Sequence, residues 1–159
     1  MGIEIERKFL VVGQPCLEWG EGTFYKQGYA SRGQHLTTRI RIAGKQGIIT
    51  LKGETQGLQR AEFEYLIPLE DAHALLEMCE GGIIEKYRWK VPFDSLIWEV
   101  DVFLGANQGL VLAEVELESV DQEVQFPSWI GQEVSYDSRY FNGALSKKPW
   151  CTWLENQNS

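Results

Sequence analysis

Histidine, cysteine and long apolar runs are all scarce in this chain of 159 residues, and each scarcity removes a class of function. The only two histidines, His35 and His73, lie far apart and read as surface residues, so neither a histidine-ligated metal nor a Ser-His-Asp relay is expected. Cys16, Cys79 and Cys151 are odd in number and form no C-x-x-C pair, which suits reduced thiols rather than a disulfide frame or a zinc knuckle. No apolar run is long enough to cross a membrane and no basic start leads into an apolar core. Neither spanning nor secretion is expected, and a cytoplasmic setting is the default. Phosphate-loop and nucleophile-elbow signatures are missing as well. A formal net charge of −8 speaks against a nucleic-acid binder that relies on an electropositive surface, so any polyanion must be held by a local arrangement of charge.

Hydrophobic residues at 43% and charged residues at 24% are ordinary for a globular protein, and the length suits one domain with a real core. We read a single domain over residues 1–150 and a short tail over 151–159 that ends in "LENQNS". Period-two alternation dominates. It predicts strands at about 3–12, 23–30, 36–43, 46–53, 61–68, 83–93, 95–103 and 110–119, mostly antiparallel and joined by glycine-containing turns such as "AGKQG". Two segments switch to helical spacing. In "LEDAHALLEMCEGG" the apolar residues recur at Leu69, Ala72, Leu75, Leu76 and Cys79, with Gly81-Gly82 as the expected stop. In "DSRYFNGALSKK", Asp137 is an expected N-cap ahead of Tyr140, Phe141, Ala144 and Leu145.

The charges are sorted by strand. Glu4 and Glu6 stand two apart in "MGIEIERKFL", on one face of a strand and about 6.8 Å from each other. Their repulsion is about 2.5 kcal/mol at an effective dielectric near 20, and about 0.6 kcal/mol in open water. For one isolated strand a solvated face would be explanation enough. The pattern recurs, however, and each recurrence keeps one sign: Arg39/Arg41, Glu62/Glu64, Lys86/Arg88/Lys90, Glu99/Asp101 and Glu114/Glu116, with Lys8 and Lys52 as further cations. A solvated sheet face normally mixes signs, because opposite neighbours attract. We therefore expect the charged faces to line the inside of a closed barrel, the apolar faces being covered by helices or by a second copy of the chain. Confined carboxylates ask for a hard divalent cation, and confined cations ask for a multiply charged anion. A barrel whose charges simply neutralise one another is the competing expectation.

The opening E-I-E-R-K resembles the E-x-E-x-K signature of the CYTH proteins, or triphosphate tunnel metalloenzymes. "QGYA", "TRIRI", "TLKGE", "RAEFEY", "EKYR", "WEVDVF", "LAEVELE" and "DSRY" follow in the family's order, over about residues 3–146. The resemblance implies an eight-stranded antiparallel β-barrel forming a charged tunnel, mainly β, with short helices packed outside and a C-terminal helix. It implies a hydrolase of triphosphate substrates that depends on Mg²⁺ or Mn²⁺, with inorganic tripolyphosphate the expected substrate. The alternatives are a class IV-type adenylate cyclase, a thiamine or nucleoside triphosphatase, and a polyphosphate-binding module without turnover.

By the same resemblance Lys8, Arg39, Arg41, Lys52, Lys86, Arg88 and Arg139 would hold phosphate. Glu4, Glu6, Glu62, Glu64, Asp101, Glu114 and Glu116 would hold metal, with Glu4 and Glu6 facing Glu114 and Glu116 at a first ion and Glu62 and Glu64 near a second. Tyr29, with Lys86 as its nearby cation, joins Glu62 and Glu64 as the expected catalytic group, although a strand tyrosine is more often packing. Arg139 could equally be a surface ion pair. The expected partner is a small-molecule triphosphate, without nucleic acid or membrane, and a homodimer is left open.

Overall fold

The computed structural model describes residues 2–153. Its strands are β1 (Gly2–Val11), β2 (Thr23–Arg32), β3 (Thr37–Ala43), β4 (Gln46–Gln56), β5 (Gln59–Ile67), β6 (Glu80–Phe93), β7 (Leu96–Phe103), β8 (Val111–Glu116) and β9 (Ile130–Glu133); the helices are α1 (Leu69–Met78) and α2 (Asn142–Lys147). Strand order is β5-β4-β3-β2-β6-β7-β8-β1, and the further β5–β1 pairing closes it into an eight-stranded barrel, antiparallel throughout. The unexpected β9 adds to β1 outside that circuit, pairing Phe9 with Glu133.

Tight turns hold the register. Gly44 and Gly57 sit at φ 60° and 64° in two-residue hairpins, where a left-handed residue matches the twist of the flanking strands. The β6–β7 hairpin does the same without glycine, with Asp94 at φ 47° and Ser95 at 66°. Gly81 and Gly82 do not stop α1, as the sequence suggests; the helix ends at Met78 and both glycines lie within β6. There the register with β2 jumps from Gln27–Ile84 to Tyr29–Glu80, a bulge that Gly81 absorbs at φ 81°.

Two apolar clusters pack on the outside of the barrel. One joins Ile40 and Ile42 of β3 to Ala72 and Leu76 of α1. The other gathers Phe9, Trp98, Val100, Ala113 and Val115 under Val124, Trp129 and Trp19. A third cluster changes the sequence-based picture, because Ile84, Phe103, Leu110 and Leu112 share the inward face with Lys86, Asp101 and Glu114. They pack against Tyr140, Leu145 and Trp153. The interior is therefore charged over part of its length only, and the segment around α2 plugs the rest with apolar side chains. Trp153 belongs to that plug, so the packed body reaches past residue 150; "LENQNS" lies outside the described residues.

The C-terminal helix is also in two pieces. Asp137 does cap, accepting from the Arg139 amide at 3.1 Å, but the turn Ser138–Tyr140 ends at Phe141, whose extended backbone (φ −71°, ψ 139°) separates it from α2.

Candidate active site

Inside the barrel lies a cavity of about 380 Å³ bounded by β1, β2, β3, β4, β5, β6, β8 and α2. Alternation delivers its charges: Glu4, Glu6 and Lys8 from β1, Arg39 and Arg41 from β3, Lys52 from β4, Lys86 and Arg88 from β6, and Glu114 from β8. Glu62 of β5 borders this set through Lys52, whose Nζ lies 3.2 Å from Glu62 and 3.6 Å from Glu4.

The carboxylates collect into two groups, and register decides which. Gly2 pairs with Glu62 and Glu4 with Arg60 on the β5 side, so Glu4 meets Glu62 rather than the acids of β8. Burial pushes Glu4 up to about 9, helped by a hydrogen bond shared with Glu62. Burial would raise Glu62 too, but that bond and the Lys52 charge hold it down to about 2. Further along β1, Glu6 pairs with Glu116 and Lys8 with Glu114. Burial and the Glu114 charge push Glu6 up to about 7. Glu114 stays ionised despite burial, through Lys8, Arg88 and Lys86, with Lys8 Nζ at 3.3 Å. Glu64 and Glu116 are more exposed at the edges of these groups, and both are raised by burial and by neighbouring carboxylates.

Asp101 does not join them. It is fully buried, takes two bonds from Arg88 at 2.6 and 2.8 Å and an ion pair from Lys86 at 2.7 Å, and is held down to about 2 against the effect of burial. Its oxygens are turned to these cations, apart from the acids of β1 and β5, where the sequence suggests a metal ligand. Arg139 is exposed, pairs with Asp137 at 2.6 Å and stacks on Trp153 at 4.9 Å, the surface ion pair that the sequence left open; it is not among the residues lining the cavity.

The cations divide into neutralised and available ones. Arg88 is spent on Asp101 and Glu99. Arg39 and Arg41 are buried with neutral partners, Thr50 at 3.1 Å and Gln27 at 2.8 Å, and the Arg39 Nε has none among the described residues. Burial, with Arg39 and Arg88 beside it, pushes Arg41 downward. Lys86 is lowered to about 7 by burial, which the nearby Asp101 opposes, and it donates to Asn142 Oδ1 at 2.9 Å. Tyr29 lies in the same cavity, but the cation on its ring is Arg32 at 5.1 Å rather than Lys86.

Sequence reasoning missed Arg32, Arg60, Lys147 and Asn142 of the lining. None of them belongs to a same-sign pair at period two: they stand alone at strand ends or on α2.

Such an arrangement defines a class: a closed antiparallel barrel whose interior holds buried arginines without acidic partners beside carboxylates crowded past full ionisation. The chain belongs to the CYTH domain family, whose model matches residues 2–147. It is 43% identical over 156 residues to an inorganic triphosphatase of Acetivibrio thermocellus, covering 98% of this chain and 100% of that protein. An inorganic triphosphatase of Nitrosomonas europaea is 40% identical over 148 residues, covering 90% and 96%. A solved structure of an inorganic triphosphatase superposes with a TM-score of 0.65 at 36% identity, covering 90% of this chain and 93% of that one.

Proposed function

We propose that the chain hydrolyses inorganic triphosphate to pyrophosphate and phosphate with the help of a divalent cation, Mg²⁺ or Mn²⁺. The observation that carries this is the unbalanced pairing inside the barrel. Arg39 and Arg41 are buried with neutral hydrogen-bond partners and no ion pair among the described residues, while Glu4 and Glu6 are part-buried beside other carboxylates. Each half is costly as it stands, and a phosphate chain with its cation relieves both at once.

The acids fit that cation. Among the described residues no three acidic, histidine or cysteine side chains converge on one point, which suits an ion that uses one or two carboxylates and fills its other positions with substrate oxygens and water. Glu4 with Glu62, and Glu6 with Glu114, are the two pairs proposed to hold it, with Glu64 and Glu116 at their edges. A bound ion supplies charge neutralisation at the phosphate oxygens and a lowered pKa for the attacking water. The chain's own groups do the rest. Arg39, Arg41, Lys8 and Lys52 fix the phosphate oxygens and stabilise the charge that develops on them, with Lys86 and Arg88 behind. Lys86, down to about 7, can stand as either amine or ammonium near neutrality. With Tyr29 it is the proposed acceptor of the proton leaving the water. A small-molecule substrate, a cytoplasmic setting without nucleic acid or membrane, and a homodimer complete the proposal; sedimentation tests the last.

Phosphate release from tripolyphosphate, ATP, thiamine triphosphate and pyrophosphate, each with Mg²⁺, Mn²⁺ and Ca²⁺, tests the substrate. Tripolyphosphate is expected to give the highest kcat/KM. Cyclic AMP formed from ATP at a higher value would replace hydrolysis with cyclisation.

A further inference from the structure

Arg32 has no acidic partner among the described residues, yet it is built in on every side. Its guanidinium lies over the Tyr29 ring at 5.1 Å and donates to Ser146 Oγ of α2. It also packs so closely on the bulge of β6 that a Cβ on Gly81 would stand 3.0 Å from its Nη2. Its Nε is buried with no hydrogen-bond partner among the described residues, and the side chain lines the cavity. Gly81 at φ 81° both permits the bulge and leaves the guanidinium its space.

Tyr29 needs such a neighbour. Its hydroxyl makes no side-chain hydrogen bond among the described residues, so no polar anchor sets the ring's rotation. The phenol end faces Gly143 of α2, whose missing Cβ would come within 3.7 Å of the ring. A cation packed on the ring face is attractive and directional. Because Arg32 is itself tied to Ser146, whose hydroxyl donates to Gly143 O at 2.7 Å, the α2 backbone, the guanidinium and the ring form one connected unit.

We propose that Arg32 is the positioning residue for Tyr29, its guanidinium on the ring face holding the phenol in place within the cavity. This rests on the proposed hydrolysis and on Tyr29 touching the reacting groups.

A double-mutant cycle with Arg32→Ala and Tyr29→Phe, followed by steady-state kinetics on tripolyphosphate with Mg²⁺, provides the test. Misplacing a reacting group costs about ten- to a hundredfold in rate, so Arg32→Ala should lower kcat on that scale with KM changed less than about threefold. In the Tyr29→Phe background the same substitution should cost less than about threefold, since there is no hydroxyl left to place. Arg32→Lys should recover part of kcat, because it restores the cation without the planar fork. Ser146→Ala should lower the melting temperature yet keep kcat within about twofold, because the stacking survives. Multiplicative losses in the double variant would overturn the proposal, as would a raised KM with unchanged kcat in Arg32→Ala. A Ser146→Ala loss as large as that of Arg32→Ala would do so too, making Arg32 a helix anchor only. If Arg32→Ala does not fold, Arg32→Lys in the two Tyr29 backgrounds carries the same comparison. A wild-type protein that leaves tripolyphosphate intact would instead defeat the proposed function.

Discussion

A buried glutamate and a buried arginine can share one cavity and still fail in opposite ways when removed. Glu4→Gln or Glu6→Gln keeps the shape and replaces a carboxyl that burial already pushes toward its neutral form in the apo protein, so the fold should hold while turnover falls by orders of magnitude. Arg39→Ala or Arg41→Ala removes charge-assisted contacts worth about 1.5–3 kcal/mol each, so KM should rise as well. Kinetics and melting curves on the same four variants check this. In a barrel that merely neutralises itself, all four would melt early and keep wild-type turnover per folded molecule. The pH response of metal-free protein follows from the same acids. Glu4, raised to about 9, and Glu6, raised to about 7, bind more protons folded than unfolded once the pH exceeds about 4.5. Stability must therefore fall as pH rises from about 4.5 to 7. Glu62 and Asp101, both held near 2, already contribute fully across that window. Above 7 the lowered Lys86 acts the other way, because there the unfolded chain holds the extra proton. Melting temperatures in chelator between pH 5 and 7 should decline, and Glu4→Gln should flatten the slope.

Elements show which parts of this were legible. Alternation alone placed Glu4, Glu6, Arg39, Arg41, Lys52 and Lys86 on inward faces, because a period of two leaves a strand residue only two directions. Which acids meet across the barrel was not legible. That depends on register and shear, and the closing β1–β5 ladder gave Glu4 to Glu62 instead of to β8. Nor was Asp101 distinguishable from Glu114 by pattern, since both sit in E-x-E-like pairs and only the β6–β7 register sets Asp101 opposite Arg88. Neutral groups gave no signal at all. Asn142 Oδ1 accepts from Lys86 at 2.9 Å and from Gln27 Nε2 at 3.2 Å, fastening the start of α2 to the barrel wall. Asn142→Ala leaves a fully buried lysine short of an acceptor, which should cost about 1–3 kcal/mol. Denaturant unfolding would register it as a lower midpoint with an unchanged m-value.

At the scale of the molecule, like charges relieved by ligand should make the loaded protein markedly harder to unfold. A ligand that binds only the folded state adds about 2.7 kcal/mol at a hundredfold excess over its Kd. Tripolyphosphate with Mg²⁺ should therefore raise the melting temperature by several degrees, and an unchanged midpoint at saturation would count against the cavity as the binding site. The apolar plug bears on the same experiment. It fixes one end of the interior through Leu145 and Trp153, so the gain should come from the charged part alone and vanish in Arg39→Ala.

The strand that carries Glu4, Glu6 and Lys8 is paired to β5 through residues 2–5, to β8 through 6–10 and to β9 through 9–11. It precedes the other strands of the barrel in the chain, but two of its three neighbours, β8 and β9, come after all the rest. Until residue 133 has been synthesised β1 has an unsatisfied edge, and contacts of such sequence separation form late because the loop closing them is entropically costly. The carboxylates therefore come together only when strands from opposite ends of the fold have met, so binding of triphosphate reports closure of the barrel and not merely formation of its local hairpins.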